Sequence, residues 1–366
     1  MAFLLPIASG KGGVGKSVIA ANLALALARL GRTVVAVDLD LGASNLHTCL
    51  GVRNRQPGLG ALVWRAERNL SDLLTETAYE RLWLIPGDGL LPGTANLEWA
   101  AKRRILRDLA RLPADFVILD LGAGSSYNVV DFFLASTEGL VVVRPEITSI
   151  LNAYSFLKTA AFRLLTRCFP DKSPGRAELL ELGRGKTEGR GRSFLDAARE
   201  LAERFPGEGS VALERLQALR PRAIMNQGLG KGDAELGYRL RDIAKQNLGL
   251  EVAFTGYLLD DPALPQSVAL RTPLVALDPA SPFSRGIRAV AARIDGEPRR
   301  APAGSGGSRP GDVGAAAGGE AAFAGAAASA ASGSAAHLEA EKPDQDTVLE
   351  RLIAEARNRG AEEPLP

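Results

Sequence analysis

The chain has 366 residues, with 44 Lys and Arg against 42 Asp and Glu, which gives a formal net charge of +2. Hydrophobic residues make up 46% and charged residues 23%, as in globular proteins with a sizeable core. No run of about 20 apolar residues predicts a spanning helix, and the N-terminus lacks the basic segment of a signal peptide. Two cysteines are too few for a disulfide framework, so we expect a cytoplasmic protein. Two histidines argue against a zinc enzyme.

Short apolar runs alternate with helical patterns up to about Ile294. The main predicted helices are Ser17–Leu30, Leu97–Arg111, Ser149–Cys168 and Asp233–Leu248. The predicted strands are Phe3–Ala8, Thr33–Asp38, Leu82–Ile85, Phe116–Asp120, Leu140–Arg144, Arg222–Asn226 and Val252–Leu258. Most of them lack period-two alternation, as expected of parallel strands that are covered on both faces. The pattern therefore predicts an α/β fold with a doubly wound, mostly parallel sheet. Pro6 lacks a backbone donor and predicts irregular pairing in the first strand.

A glycine-rich segment, Gly10-Lys-Gly-Gly-Val-Gly-Lys-Ser17, joins the first predicted strand to the first predicted helix. It matches the phosphate-binding pattern G-x-x-x-x-G-K-[ST] in the strand–loop–helix context that the pattern requires. Backbone N–H groups of such a loop converge on phosphate oxygens, and the helix directs its positive end at the same anion. Lys16 would neutralise the β- and γ-phosphates, and the Ser17 hydroxyl would bind Mg²⁺. The predicted cofactors are ATP and Mg²⁺, and the predicted nucleotide-binding residues here are Gly10, Gly12, Gly13, Val14, Gly15, Lys16, Ser17 and Val18.

Two of the apolar strands end in carboxylates. One runs into Asp38 and Asp40, and the other ends at Asp120, just before Gly122 and Gly124. Ligands of open α/β sheets bind at the carboxyl ends of the strands, so these acids are expected beside the phosphate loop. Three acids on two strands beside such a loop favour Mg²⁺ binding and water positioning over simple turn capping.

The extra lysine of the loop, Lys11, resembles the deviant Walker A motif of the MinD/ParA class of ATPases. The segment Asp38–His47, followed by Leu50 and Gly51, is most similar to the flagellar-number regulators of the FlhG family (also called FleN or YlxH) and to MinD. The resemblance covers about residues 1–294 and is most specific in the first 145. It implies an ATP-dependent homodimer in which Lys11 reaches the partner's phosphates.

The same resemblance implies roles for individual residues. Lys11, Lys16 and Asp40 would be the catalytic residues, with Asp40 orienting the attacking water. Ser17, Asp38 and Asp120 would surround Mg²⁺, and Gly122 and Gly124 would lie in the switch loop that senses the γ-phosphate. Asn226 would hydrogen-bond the adenine, and Asp260 would belong to the loop that closes over the base.

The remaining segments complete the predicted domain organisation. Residues 1–295 are assigned to the P-loop ATPase domain, with a helical insertion over 170–219 whose mobile basic tip carries Arg184, Lys186, Arg190 and Arg192. An Ala-, Gly- and Ser-rich composition predicts a disordered linker over 296–342. A capping box formed by Thr347 and Glu350 then introduces a short amphipathic helix over 343–360.

The resemblance implies a slow, partner-stimulated ATPase switch that regulates the placement or number of a cell-envelope or flagellar structure. Its expected partners are a second copy of the chain, an activating protein and the inner face of the membrane. The last 28 residues carry eight acids and four bases, which suits protein docking as well as membrane contact. A DNA-partitioning ATPase that uses the basic tip ranks second, and an amide-forming metabolic enzyme on the same fold ranks third. An iron–sulfur carrier is disfavoured because Cys49 and Cys168 are isolated in the sequence.

Overall fold

The short apolar segments of the chain become the strands of an eight-stranded sheet. A computed structural model describes residues 1–40, 44–53, 58–59, 70–87, 99–184 and 193–297. The strands are β1 (Phe3–Ala8), β2 (Val34–Leu39), β3 (Thr75–Glu76), β4 (Leu82–Ile85), β5 (Phe116–Leu121), β6 (Leu140–Val143), β7 (Arg222–Gly228) and β8 (Ala253–Leu259). Their order is β3-β4-β2-β5-β1-β6-β7-β8, and β3 pairs antiparallel with β4 while the other described pairs are parallel. The predicted doubly wound, mostly parallel α/β sheet is therefore confirmed.

Helices cover both faces of this sheet. They are α1 (Lys16–Arg29), α2 (Leu46–Cys49), α3 (Trp99–Ala110), α4 (Tyr127–Phe133), α5 (Ile147–Thr166), α6 (Pro174–Arg184), α7 (Phe194–Arg204), α8 (Glu208–Ala218), α9 (Ala234–Leu248), α10 (Leu264–Ala269), α11 (Leu274–Leu277) and α12 (Pro282–Gly296). One core layer packs α1, α2, α11 and α12 against the sheet, and the other packs α3 to α9. Because side chains alternate along a strand, Val34 and Ala36 enter the first layer, and Val35 and Val37 enter the second.

Pro6 disturbs the sheet less than predicted. On the β5 side the parallel register runs without a shift from Phe3 to Ile7, and Pro6 lies opposite Leu119. On the β6 side the ladder contains Ile7 and Ala8 alone. The prediction of irregular pairing is therefore wrong for the β5 ladder, because the proline precedes the short stretch in which β1 also pairs with β6.

Helices α6 to α8 occupy most of the segment predicted as an insertion. Helix α7 begins with a capping box in which the Ser193 hydroxyl accepts from the Asp196 N–H, and the Asp196 carboxylate accepts from the Ser193 N–H. The predicted basic tip, apart from the backbone of Arg184, lies outside the described residues. So do the predicted linker beyond Glu297 and the predicted terminal helix.

The described residues belong to one compact unit, residues 1–187 and 191–308, while a second unit of 188–190 and 309–366 lies outside them. None of the described helices is long and apolar enough to cross a membrane.

Candidate nucleotide site

The glycine-rich segment forms the turn between β1 and α1. Gly13 and Gly15 have φ angles of +74° and +91°, in the left-handed region that glycine adopts without strain. Gly15 is also the N-cap of α1, and it provides no side-chain oxygen for the first-turn N–H groups. These donors point out of the helix end and are available to an anion.

Two glycines of this loop are also required by close packing. A Cβ atom on Gly10 would lie 2.1 Å from the backbone oxygen of Asn152 in α5. A Cβ atom on Gly15 would lie 2.5 Å from Nδ2 of Asn226, at the end of β7. The loop is therefore seated between α5 and β7, and larger residues at these two positions would move it.

Lys16 and Asp120 form the buried electrostatic centre of the site. The Lys16 side chain is buried, and burial lowers its pKa while the charges of Asp120 and Asp40 oppose that shift. Asp120 is 1% exposed and lies beside the Ser17 hydroxyl and the Lys16 ammonium. Burial and, secondarily, the charge of Asp38 raise the pKa of Asp120 to about 8, although the nearby Ser17 hydroxyl and Lys16 ammonium act in the opposite direction.

Asp38 lies directly beside Asp120 in the β2–β5 register, but its carboxylate is held by several hydrogen bonds. One Asp38 oxygen accepts from the Ser44 hydroxyl at 2.6 Å and the Leu46 N–H at 3.0 Å, and the other accepts from the Asp40 N–H at 3.1 Å. Burial raises the pKa of Asp38, and these hydrogen bonds oppose the increase. Asp38 is thus hydrogen-bonded to three groups that follow β2, which makes Asp120 the stronger candidate for a metal-binding carboxylate.

The predicted water-positioning acid and the predicted switch glycines lie together. A Cβ atom on Gly122 would be 3.5 Å from an Asp40 carboxylate oxygen, so Asp40 faces the turn after β5. Gly124 has a φ angle of +84°, and its N–H donates to the Ser9 carbonyl oxygen at 3.1 Å. The turn after β5 is therefore hydrogen-bonded directly to the start of the phosphate loop.

The two lysines of the loop differ sharply in their surroundings. Lys16 is buried, whereas the Lys11 side chain is 44% exposed and its Nζ lies 3.3 Å from the Glu146 carboxylate. Glu146 was not predicted as a site residue. Its position shortly after β6, a strand that neighbours β1, was the available signal, because the carboxyl ends of neighbouring parallel strands share one edge of the sheet.

Asn226, predicted to bind the base, contacts the phosphate loop directly. It is 2% exposed, and its Nδ2 donates to the Val14 carbonyl oxygen at 2.9 Å. Its Oδ1 is buried and has no hydrogen-bond partner among the described residues. Asp260 lies exposed after β8, where its N–H donates to the Gly228 carbonyl oxygen at 2.9 Å. The roles of both residues stay predictions.

These observations fit a Mg²⁺-bound nucleotide. The uncapped helix end and the buried Lys16 suit phosphates, the buried Asp120 with Ser17 suits the cation, and Asn226 suits an adenine amino group. No group of three or more His, Cys, Asp or Glu side chains able to hold a metal occurs among the described residues. Mg²⁺ is commonly bound by one or two carboxylates together with substrate phosphates, which is the arrangement available here.

Comparison with known proteins identifies the family. The model of the CobQ/CobB/MinD/ParA nucleotide binding domain matches residues 5–354. The chain belongs to this family. It is an ATPase that uses ATP and Mg²⁺, in agreement with the enzyme class and cofactors predicted from the sequence.

Individual relatives come from the same family. The antiactivator FleN of Pseudomonas aeruginosa is 28% identical over 243 residues, which cover 64% of this chain and 83% of FleN. The flagellum site-determining protein YlxH of Helicobacter pylori is 34% identical over 161 residues, 42% of this chain and 52% of YlxH. The septum site-determining protein MinD of Pyrococcus horikoshii, solved with Mg-ADP, shares the fold with a TM-score of 0.53 at 20% identity, over 81% of this chain and 97% of that one.

Proposed function

We propose that this ATPase is a switch of the MinD/FlhG type that forms a homodimer when ATP is bound. The observation that carries the proposal is the contrast between the two loop lysines. Lys16 is buried with Asp120 and Asp40 nearby, whereas Lys11 is about half exposed and pairs with Glu146 at the surface. An exposed cation on a phosphate loop is available to the phosphates of a second copy.

Phosphoryl transfer depends on positioning and charge neutralisation, and we assign these roles to the remaining site residues. Lys16 would neutralise the β- and γ-phosphates of its own nucleotide. Ser17 and Asp120 would hold Mg²⁺, which draws negative charge from the phosphates. Asp40, at the turn after β5, would orient the attacking water. If the partner supplies Lys11, hydrolysis requires the dimer, and the ATP and ADP states differ in assembly.

For the cellular role, we propose that the switch regulates the placement or number of a flagellar or other cell-envelope structure. The support comes from the relatives, since YlxH is named a flagellum site-determining protein and MinD a septum site-determining protein. We further propose an activating protein partner and peripheral contact with the inner face of the membrane. In this proposal the ATPase domain spans residues 1–295, a linker follows over 296–342, and a docking helix occupies 343–360.

Light scattering coupled to size-exclusion chromatography tests the nucleotide-dependent assembly. The wild-type chain should be monomeric with Mg·ADP, and Asp40→Ala should be a stable dimer with Mg·ATP. Lys11→Ala should bind ATP yet stay monomeric, while Lys245→Ala, which removes an exposed lysine of α9, should behave as wild type. An ATP-dependent dimer formed by Lys11→Ala would refute the role of Lys11, and normal turnover by Asp40→Ala would remove Asp40 from the mechanism.

Co-sedimentation with anionic liposomes tests what the switch acts on. Asp40→Ala protein should pellet with ATP but not with ADP, and deletion of residues 344–366 should abolish pelleting. No pelleting in either state would contradict membrane contact and favour a protein-docking tail.

A parallel assay with duplex DNA tests the ParA-like alternative. ATP turnover that requires a carboxylate or amine substrate would favour the amide-forming enzyme.

A further inference from the structure

One carboxylate next to the phosphate loop is shared by two cations. Glu146 places one oxygen 3.3 Å from Lys11 Nζ and the other 3.3 Å from Arg144 Nη1. The side chains are all partly exposed, at 44% for Lys11 and 36% for both Arg144 and Glu146. Such pairs are individually weak, so the carboxylate can release one cation while it keeps the other.

The backbone around this carboxylate is well fixed. The Arg144 N–H donates to the Ser149 hydroxyl at 2.9 Å, and the Glu146 N–H donates to the Arg144 carbonyl oxygen at 2.7 Å. Ser149 lies in the first turn of α5, and further along this helix the Asn152 carbonyl oxygen fills the space that a Gly10 side chain would need. Glu146 is therefore anchored beside the phosphate loop, and the element with freedom to move is the long Lys11 side chain.

We propose that Arg144 is a positioning residue that controls when Lys11 is released to a partner subunit. This inference rests on the proposed function, in which Lys11 acts on the partner's phosphates. In the single chain Glu146 retains Lys11 at its own surface. Arg144 shares the negative charge of Glu146 and so weakens the hold on Lys11. After Lys11 has moved to the partner's phosphates, Arg144 leaves Glu146 with a cationic partner instead of an uncompensated charge.

A simpler effect of Arg144 has a different signature. If Arg144 only added positive charge near bound phosphates, its removal would weaken ATP-dependent assembly whether or not Glu146 were present. If it acts through Glu146, its removal matters only while Glu146 carries its charge. A double-mutant cycle separates these two cases, because it measures the dependence of one substitution on the other.

The experiment uses the full chain and its variants Arg144→Gln, Glu146→Gln, the double variant and Arg144→Lys. Sedimentation equilibrium with Mg·ATPγS gives the dimer dissociation constant. Binding of fluorescent ADP to the monomer checks folding and the nucleotide pocket. In a symmetric dimer each pair counts twice, so Arg144→Gln should weaken the dimer about threefold to tenfold and Glu146→Gln should strengthen it by a similar factor. The double variant should have the same dimer dissociation constant as Glu146→Gln. Arg144→Lys should recover most of the wild-type dimer affinity, because it restores the positive charge. The ADP affinity of each variant should change by less than about twofold.

The outcomes distinguish this inference from the function on which it rests. Additive effects of the two substitutions, or no effect of Arg144→Gln, would overturn the role of Arg144 while leaving the Lys11-dependent dimer intact. If both Arg144→Gln and Arg144→Lys lost ADP binding, Arg144 would belong to the nucleotide pocket itself. That result would also overturn its proposed positioning role. Dimerisation of Lys11→Ala under the same conditions would instead refute the proposed function.

Discussion

Replacement of Asp120 tests the electrostatics of the nucleotide site. The Asp120 side chain is 1% exposed, and its pKa is raised from the ordinary value of 3.8 to about 8, first by burial and then by Asp38. Between those two pH values the unfolded chain carries the ionised carboxylate while the folded chain carries the protonated acid. The folded state then binds more protons than the unfolded state, so this group lowers stability as pH rises from about 4 to about 8 and adds no further loss above that.

Asp120→Asn removes the titration and nearly preserves the size of the side chain. Linkage allows at most about 1.36 kcal/mol per pH unit, so without nucleotide the variant should be more stable than wild type by up to about 4 kcal/mol at pH 7. The difference should widen by about 2–3 kcal/mol between pH 5.5 and pH 7.5. Urea unfolding followed by circular dichroism, in buffer with EDTA, gives the free energy of unfolding at each pH.

Two controls make this test specific to the buried carboxyl. Asp242→Asn removes an exposed acid of α9, and its curve should run parallel to that of wild type. Addition of Mg·ATP should stabilise wild type more than Asp120→Asn, because ligand that binds the folded state adds stability and Asp120 is proposed to help hold the cation. Parallel stability curves for wild type and Asp120→Asn over this pH range would refute the assigned pKa and the reasoning built on it.

Three further substitutions test other parts of the site and its support. Gly10→Ala should weaken Mg·ADP binding by at least about tenfold in calorimetry, because the added Cβ collides with the backbone of α5. The control variant Gly232→Ala adds its Cβ in open space and should bind Mg·ADP normally. Asp131→Ala should lower the free energy of unfolding by about 3–5 kcal/mol in urea titrations, because it removes a buried carboxylate that pairs with Lys102, Arg163 and Arg167. A loss below about 1 kcal/mol would contradict the importance of these ion pairs. Asn226→Ala should reduce the preference for ATP over ITP in competition assays by about fivefold or more, and an unchanged preference would contradict adenine recognition by Asn226.

The sheet was predictable because its strands are buried on both faces. Such strands appear in the sequence as continuous apolar runs, and Phe3–Ala8 and Leu82–Ile85 were predicted with the bounds that the structure gives. The phosphate loop was predictable for a different reason, since its glycines meet backbone demands that few other residues can satisfy. The two-residue strand Thr75–Glu76 was missed, because so short a segment carries no periodic signal.

Helix α4 shows where sequence reasoning failed. The segment Tyr127–Phe133 is rich in aromatic and β-branched residues, which have modest helix propensity, and it was not picked out as a helix. It is helical because Ser126 caps its first turn and its apolar side chains enter the core. Asp131 within it is buried against Arg163 and Lys102 from two other helices, a contact set by tertiary structure alone.

Asp38 and Asp120 show the limit of the same reasoning inside the site. Both lie at the ends of apolar strands and are partners in the β2–β5 register, and the family resemblance implied that both surround Mg²⁺. Burial and a neighbouring carboxylate both raise the pKa of a carboxyl, whereas hydrogen bonds to it and a nearby cation lower that pKa. Asp38 accepts hydrogen bonds from Asp40, Ser44 and Leu46, whereas Asp120 lies beside the Ser17 hydroxyl and the Lys16 ammonium. Burial raises the pKa of both carboxyls; the three hydrogen bonds oppose this increase at Asp38, whereas the Ser17 hydroxyl and the Lys16 ammonium oppose it at Asp120. The sequence shows that both acids follow apolar runs, but these neighbours are brought to each carboxyl by the fold.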